Sequence, residues 1–173
     1  MSFIGAEKQG QTYAPGWFLV TDEGCVRKTR QIAQSGAKTT AEGGKYVPMG
    51  SAYPSNDANA IGIVYEDVDV TDGDMPGSVV LQGTVYEDRL AITGASYDAV
   101  TPTTGDNPAE KGWYERSGSA GAYVYTLTDD TTVADGVTYY AKSAVRLASA
   151  AKTALAALGF KFVATSPAVT RPY

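Results

Sequence analysis

Gly62-Ile63-Val64-Tyr65-Glu66-Asp67 returns as Gly83-Thr84-Val85-Tyr86-Glu87-Asp88, and the reading of this repeat decides the fold. A matched glycine, valine, tyrosine and acidic pair predict two equivalent strands, each running into a polar turn. Between them, Val68-Asp69-Val70 alternates into the turn signals of Asp72-Gly73-Asp74 and Pro76-Gly77, and Ser78-Val79-Val80-Leu81-Gln82 resumes a strand. No reacting group stands out in this stretch, which reads as a framework for assembly.

Working outward, Lys45-Tyr46-Val47-Pro48-Met49-Gly50 predicts a short strand, its proline placing it at an edge or a strand end. Gly94 to Asn107, punctuated by Thr-Pro and Gly-Asp-Asn-Pro, starts a separate excursion. Within it, Gly112-Trp113-Tyr114-Glu115-Arg116, Ala122-Tyr123-Val124-Tyr125-Thr126-Leu127 and Gly136-Val137-Thr138-Tyr139-Tyr140 predict a three-stranded β-meander with aromatic side chains over one face. Ser143 to Leu158 carries Ala144, Leu147, Ala148, Ala151, Ala154, Leu155 and Leu158 at three-and-four spacing, with Gly159 as a stop, and predicts the one helix. Phe160-Lys161-Phe162-Val163 alternates as a closing strand, and Pro167 and Pro172 bracket a tail. Residues 1–42 hold few strongly apolar positions outside Trp17-Phe18-Leu19-Val20. Their Ile32–Gly44 tract is a flexible linker by composition, so the segment reads as an arm with one short strand that orders on a partner.

The expected fold is therefore α+β and mainly β: a small β-sheet or barrel-like domain with one packed C-terminal helix and an inserted Tyr-rich β-meander. The expected organisation is an arm over 1–42, a domain over 43–96 and 144–173, and an insertion over 97–143.

With 173 residues, the chain can bury one ordinary core. Its 12 tyrosines are the unusual excess, suited to strands and half-exposed contact surfaces. Fourteen basic against 19 acidic residues leave no basic stripe for a nucleic acid, and Arg27-Lys28-Thr29-Arg30 reads as a solvated strand edge. No apolar run is long enough to span a bilayer and no signal pattern opens the chain, so a soluble protein made in the cytoplasm is expected. Cys25, alone, cannot form an internal disulfide and reads as a small apolar group.

With 0 histidines, Ser-His-Asp and Cys-His schemes are closed. Glu66, Asp67, Glu87 and Asp88 are candidates for a carboxylate pair that hydrolyses sugars, set against the plainer reading of solvated turn residues. Asp67, Asp69, Asp72 and Asp74 invite a calcium reading, but the spacing departs from D-x-[DN]-x-[DN]-G and lacks the closing glutamate, which favours an Asp-Gly turn capping its own backbone. No cofactor and no metal is expected.

The segment Gly62 to Asp74, with its Asp67-Val68-Asp69-Val70-Thr71-Asp72-Gly73-Asp74, followed by Gly77-Ser78-Val79-Val80-Leu81-Gln82-Gly83-Thr84-Val85, resembles the core of tailed-bacteriophage head decoration proteins, including head fibre proteins. That family closes with an Ala-Leu-rich helix and a Gly-aromatic-x-aromatic strand, to which Ala151 to Val163 is similar. The resemblance covers 45–94 and 144–165 and leaves out the Tyr-rich insertion. It implies a non-enzymatic protein on the exterior of the virion capsid, bound to the major capsid protein as a homotrimer and stabilising the assembled head, with neither nucleic acid nor membrane as partner. On that reading Trp17, Phe18, Leu19 and Arg27 contact the capsid, and Trp113, Tyr114, Tyr123 and Tyr125 form an outward surface. The rival is a host-surface or glycan-binding module in which the insertion's aromatics bind.

Overall fold

The computed structural model describes residues 14–167. Among them the chain runs β1 (Val26–Ile32), β2 (Lys38–Thr39), β3 (Lys45–Val47), β4 (Ala52–Tyr53), β5 (Gly62–Val64), β6 (Val68–Asp69), β7 (Met75–Gln82), β8 (Thr84–Tyr86), a 3₁₀ turn at Glu87–Arg89, β9 (Gly94–Ala99), β10 (Tyr114–Ser117), β11 (Val124–Leu127), β12 (Tyr139–Val145), α1 (Ser149–Ala157) and β13 (Lys161–Val163). Among the described residues the fold is mainly β with one α-helix, α1, near the C-terminus. The described residues divide into two compact units, 14–93 with 146–167, and Gly94–Val145.

The first unit is organised by β7, which pairs antiparallel with β1 on one side and β5 on the other, in the order β1-β7-β5-β4. Val79 and Val80 are both fully buried although successive side chains of a strand point to opposite faces. The sheet therefore has a core on each side, which explains why Gly62-Ile63-Val64 and Val79-Val80 read as continuous apolar runs instead of alternating. On one face Ile63 and Val80 meet Phe18, Leu19, Val85, Leu90, Ala151, Leu155 and Phe160; on the other Val64 and Val79 meet Ile32, Val68 and Val70. The second face is closed by the small sheet β2-β3-β6.

The helix is shorter than the alanine spacing predicts. Ser143–Val145 belong to β12, held by backbone pairing with Gly94–Ser96, so a tertiary ladder overrides helical propensity there. Its C-terminus follows the glycine signal: Gly159 adopts φ +96°, Phe160 N–H donates to Leu155 O at 3.1 Å, and both side chains enter the core, as in a Schellman cap. At the other end Ala148 N–H donates to Asn56 Oδ1 at 2.9 Å, a contact from 92 residues away.

Two further expectations are corrected. The twin strands are not equivalent: β5 sits inside the antiparallel four-stranded sheet, whereas β8 pairs in parallel with β13. The described part of the arm is also not an arm. Phe18 and Leu19 are buried, and β1 contributes a seven-residue edge to the main sheet. Its burial pattern is almost wholly exposed, so its cohesion comes from the backbone ladder that composition does not report. The tract over 32–44 likewise contains β2 and anchored polar groups: Gln34 Nε2 donates to Val70 O at 2.7 Å, and Gln34 N–H to Asp74 Oδ1 at 2.8 Å. Residues 1–13 of the expected arm and the tail with Pro172 lie outside the described residues.

The second unit is a four-stranded antiparallel sheet in the order β11-β10-β12-β9. The expected meander had three strands; Gly94–Ala99, read as the opening of an irregular excursion, is the fourth, its pairing supplied by β12. Tyr139 is fully buried on one face, near Trp113 with ring centroids 5.8 Å apart, and its hydroxyl is hydrogen-bonded to Asp130. That bond and burial raise the Tyr139 pKa.

Loop chemistry in this unit carries a testable pH signature. Asp106 accepts hydrogen bonds from Lys111 Nζ at 2.7 Å and Thr103 N–H at 2.8 Å. These hold its carboxyl at about 2, below the ordinary 3.8. A folded value below the unfolded one means the contribution is present above about pH 4 and is lost as pH falls towards 2. An NMR titration is expected to place the Asp106 midpoint at about 2, with Lys111→Gln moving it up; an ordinary midpoint in the unsubstituted protein would contradict the pairing.

Candidate functional site

The repeat that fails to duplicate a strand environment does duplicate a set of side-chain roles. After β5, Tyr65 lies under the Arg27 guanidinium, 4.4 Å from the ring centroid; at the end of β8, Tyr86 lies 4.6 Å from that of Arg89. The acidic partners behave alike: Asp67 Oδ1 accepts from Met49 N–H at 2.7 Å, and Asp88 Oδ2 from Ser166 N–H at 2.9 Å and Ser166 Oγ at 2.7 Å. The Ser166 backbone bond lowers the Asp88 pKa.

The segment over 14–20 is stitched between the twins. Gly16 N–H donates to Tyr65 O at 2.9 Å, Tyr86 N–H to Phe18 O at 2.8 Å, and Val20 N–H to Thr84 O at 2.9 Å. Gly16 has φ +71°, and a Cβ there would lie 2.4 Å from Tyr65 Cε2, so only glycine fits both the turn and the ring against it. Trp17 then falls beneath Arg89, 3.9 Å from ring centroid to guanidinium, and Arg89 Nη1 donates to Trp17 O at 3.1 Å. The result is two Arg-aromatic stacks, Arg27 on Tyr65 and Arg89 on Trp17 and Tyr86, tied through the backbone of the 14–20 segment, with all five residues exposed or half-buried.

Two of the four expected capsid-contact residues, Trp17 and Arg27, therefore take part in these stacks. Phe18 and Leu19 do not: the turn directs both into the core. Tyr65, Tyr86 and Arg89 were missed as contacts, though the tyrosine shared by the two repeats was the available signal. Arg-aromatic stacks of this kind are worth about 0.5–1 kcal/mol each at exposed sites and fix long side chains in place before any partner arrives.

The carboxylates proposed for chemistry have separate duties. Asp67 and Asp88 hold backbone as above, and Glu87 takes both oxygens to Lys152 Nζ at 2.7 and 2.8 Å. In the aspartate run, Asp69 Oδ1 accepts from Thr71 N–H at 2.9 Å while Asp74 Oδ1 accepts from Gln34 N–H. Among the described residues no group of three or more metal-ligating side chains converges. Cys25 is half-buried against the core, and burial raises its pKa.

Of the expected outward residues, Tyr114, Tyr123 and Tyr125 share one face of the second unit, while Trp113 points to the opposite face and packs beside Tyr139. Strand alternation at the start of β10 accounts for the split between Trp113 and Tyr114. Among the described residues no helix is long and apolar enough to cross a membrane. Comparison with protein families, curated proteins and solved structures returned no match.

Proposed function

We propose that the protein is a capsid decoration protein: a non-enzymatic, trimeric cement that binds the major capsid protein on the outer surface of an assembled phage head and stabilises it. The resemblance of 45–94 and 144–165 to head decoration proteins motivates this reading, and one observation supports it above others. The two repeat tyrosines, with Arg27, Arg89 and Trp17, build preorganised Arg-aromatic stacks, and these are the residue types that dominate energetically at protein interfaces. Docking is assigned to these folded stacks instead of to an arm that orders on contact. A trimer bound at a local three-fold position multiplies a modest contact by linking three of them, so that release requires all to break together.

The test uses empty, expanded heads of the major capsid protein encoded in the same genome. Co-sedimentation is expected to show saturable binding, with Trp17→Ala combined with Arg27→Glu weakening it at least tenfold while the thermal midpoint stays within a few degrees. Sedimentation equilibrium is expected to give a trimer. Heads that bind the double variant as well as the unsubstituted protein would remove the stacks from the mechanism, and heads that bind neither would remove the function.

A further inference from the structure

The second unit carries two faces of opposite chemistry. Pairing partners share a face, so the register places Tyr97, Tyr114, Tyr125 and Tyr140 on one side with Arg116, Lys142 and Leu127. Tyr123, just before β11, joins them, because the Arg116 guanidinium lies 4.2 Å from its ring centroid and 5.0 Å from that of Tyr140. Lys142 Nζ lies 5.5 Å from the Tyr114 centroid. The strand positions of this face contain no carboxylate. Asp98 and Glu115 fall on the opposite face by register, where Glu115 is hydrogen-bonded to Thr128 Oγ1. Over Gly94–Val145 the sequence holds seven acidic and three basic residues (Asp98, Asp106, Glu110, Glu115, Asp129, Asp130 and Asp135 against Lys111, Arg116 and Lys142), so two of the three cations are gathered on the one face from which strand carboxylates are missing.

The aromatic geometry is fixed in advance. Tyr97 and Tyr125 stack with centroids 3.9 Å apart and planes 3° from parallel, although their strands are the two edges of the sheet, separated by β10 and β12. Three strand spacings put those edges roughly 14 Å apart, so the twist and the two side chains together close over the middle of the sheet. Tyr97 meets Tyr114, and Tyr125 meets Tyr140, edge-on at 5.2 Å. Beside this clasp Tyr123 is 43 % exposed and Leu127 56 % exposed, and both cations are exposed.

We propose that this face binds carboxylated saccharides. Sugar rings present apolar C–H faces bordered by hydroxyls, which suit flat, amphipathic tyrosines, and an acidic sugar adds the carboxylate that Arg116 and Lys142 recognise through charge-assisted hydrogen bonds. The rings are already ordered by one another, so little side-chain entropy is lost on binding. The charge segregation selects an anionic saccharide over a neutral one. This site is independent of docking on a capsid and stands or falls without it.

The full chain is titrated calorimetrically with oligogalacturonate, with a maltooligosaccharide of the same length, and with polyglutamate as an anion without sugar. Binding is expected for oligogalacturonate, weakening as salt rises and falling at least tenfold in Arg116→Gln with Lys142→Gln and in Tyr123→Ala. Asp98→Asn, on the opposite face, is expected to leave it unchanged, and the thermal midpoint checks that each variant is folded. Absence of oligogalacturonate binding, equal affinity for the neutral oligosaccharide, equal affinity for polyglutamate, or retention of affinity in the folded Arg116 and Lys142 variant would each overturn the assignment.

Discussion

Replacing Phe18 with alanine is expected to destabilise the first unit by about 3–5 kcal/mol, the usual cost of removing a fully buried phenylalanine, and to lower its thermal midpoint by roughly 10 °C or more. Phe18 is wholly inaccessible and belongs to the cluster that joins Ile63 and Val80 of the sheet to Leu155 of the helix and Phe160 beyond it. Its backbone is equally committed, since its carbonyl accepts from Tyr86 N–H at 2.8 Å. The experiment separates two pictures of the N-terminal region. A segment that orders only on a partner contributes nothing to the stability of the isolated protein, and Phe18→Ala would then leave a denaturation curve unchanged. A shift in midpoint concentration without a change in slope is the result expected from the buried position.

The second large effect distinguishes the twin glycines. Gly62→Ala is expected to cost about 1–3 kcal/mol by overpacking, because a Cβ there would lie 2.5 Å from Val80 O and 2.6 Å from Val79 Cγ1, in a sheet with core on both sides. Gly83→Ala, at the matching place in the repeat, meets nothing closer than 3.5 Å, and the φ there is not positive. It is expected to be neutral or to stabilise by up to ~1 kcal/mol through the reduced freedom of the unfolded chain. Parallel urea denaturation of the two variants checks this, and equal losses at both positions would mean that the repeat forms two like environments after all.

The two substitutions also show where a repeat in sequence stops being a repeat in structure. Gly62 is crowded because β7 runs alongside it, whereas Gly83 follows directly on β7 and leads into the pairing with β13. What persists between the copies is a pair of side-chain roles: a tyrosine beneath an arginine and an aspartate that accepts backbone N–H groups from a residue distant in the chain. The two copies share these side-chain roles, but not their strand partners.

Only part of the candidate surface was legible in the sequence. Trp17, Phe18, Leu19 and Arg27 are grouped in the sequence only as members of a segment poor in core residues, whereas the tyrosines of the insertion could be read as a facing set from the alternation in Tyr123-Val124-Tyr125. Phe18 and Leu19 could not be separated from Trp17 by composition, because one turn sends neighbouring side chains in opposite directions. Arg116 and Lys142 acquire meaning only when β10 and β12 are adjacent, and the Tyr97 stack only when β9 is recognised as a strand.

The β-rich class, the single C-terminal helix and its glycine stop, and the strand character of 78–82 and 161–163 followed from local patterning, since periodicity, turn residues and caps act within a few positions of one another. The tertiary structure alone decided that exposed, polar β1 is an edge of the main sheet, that 143–145 is strand and not helix, and that the aromatic face of the second unit is the cationic one. Each of these depends on backbone ladders between residues distant in the chain, whose hydrogen bonds are indifferent to side-chain type and leave no trace in composition.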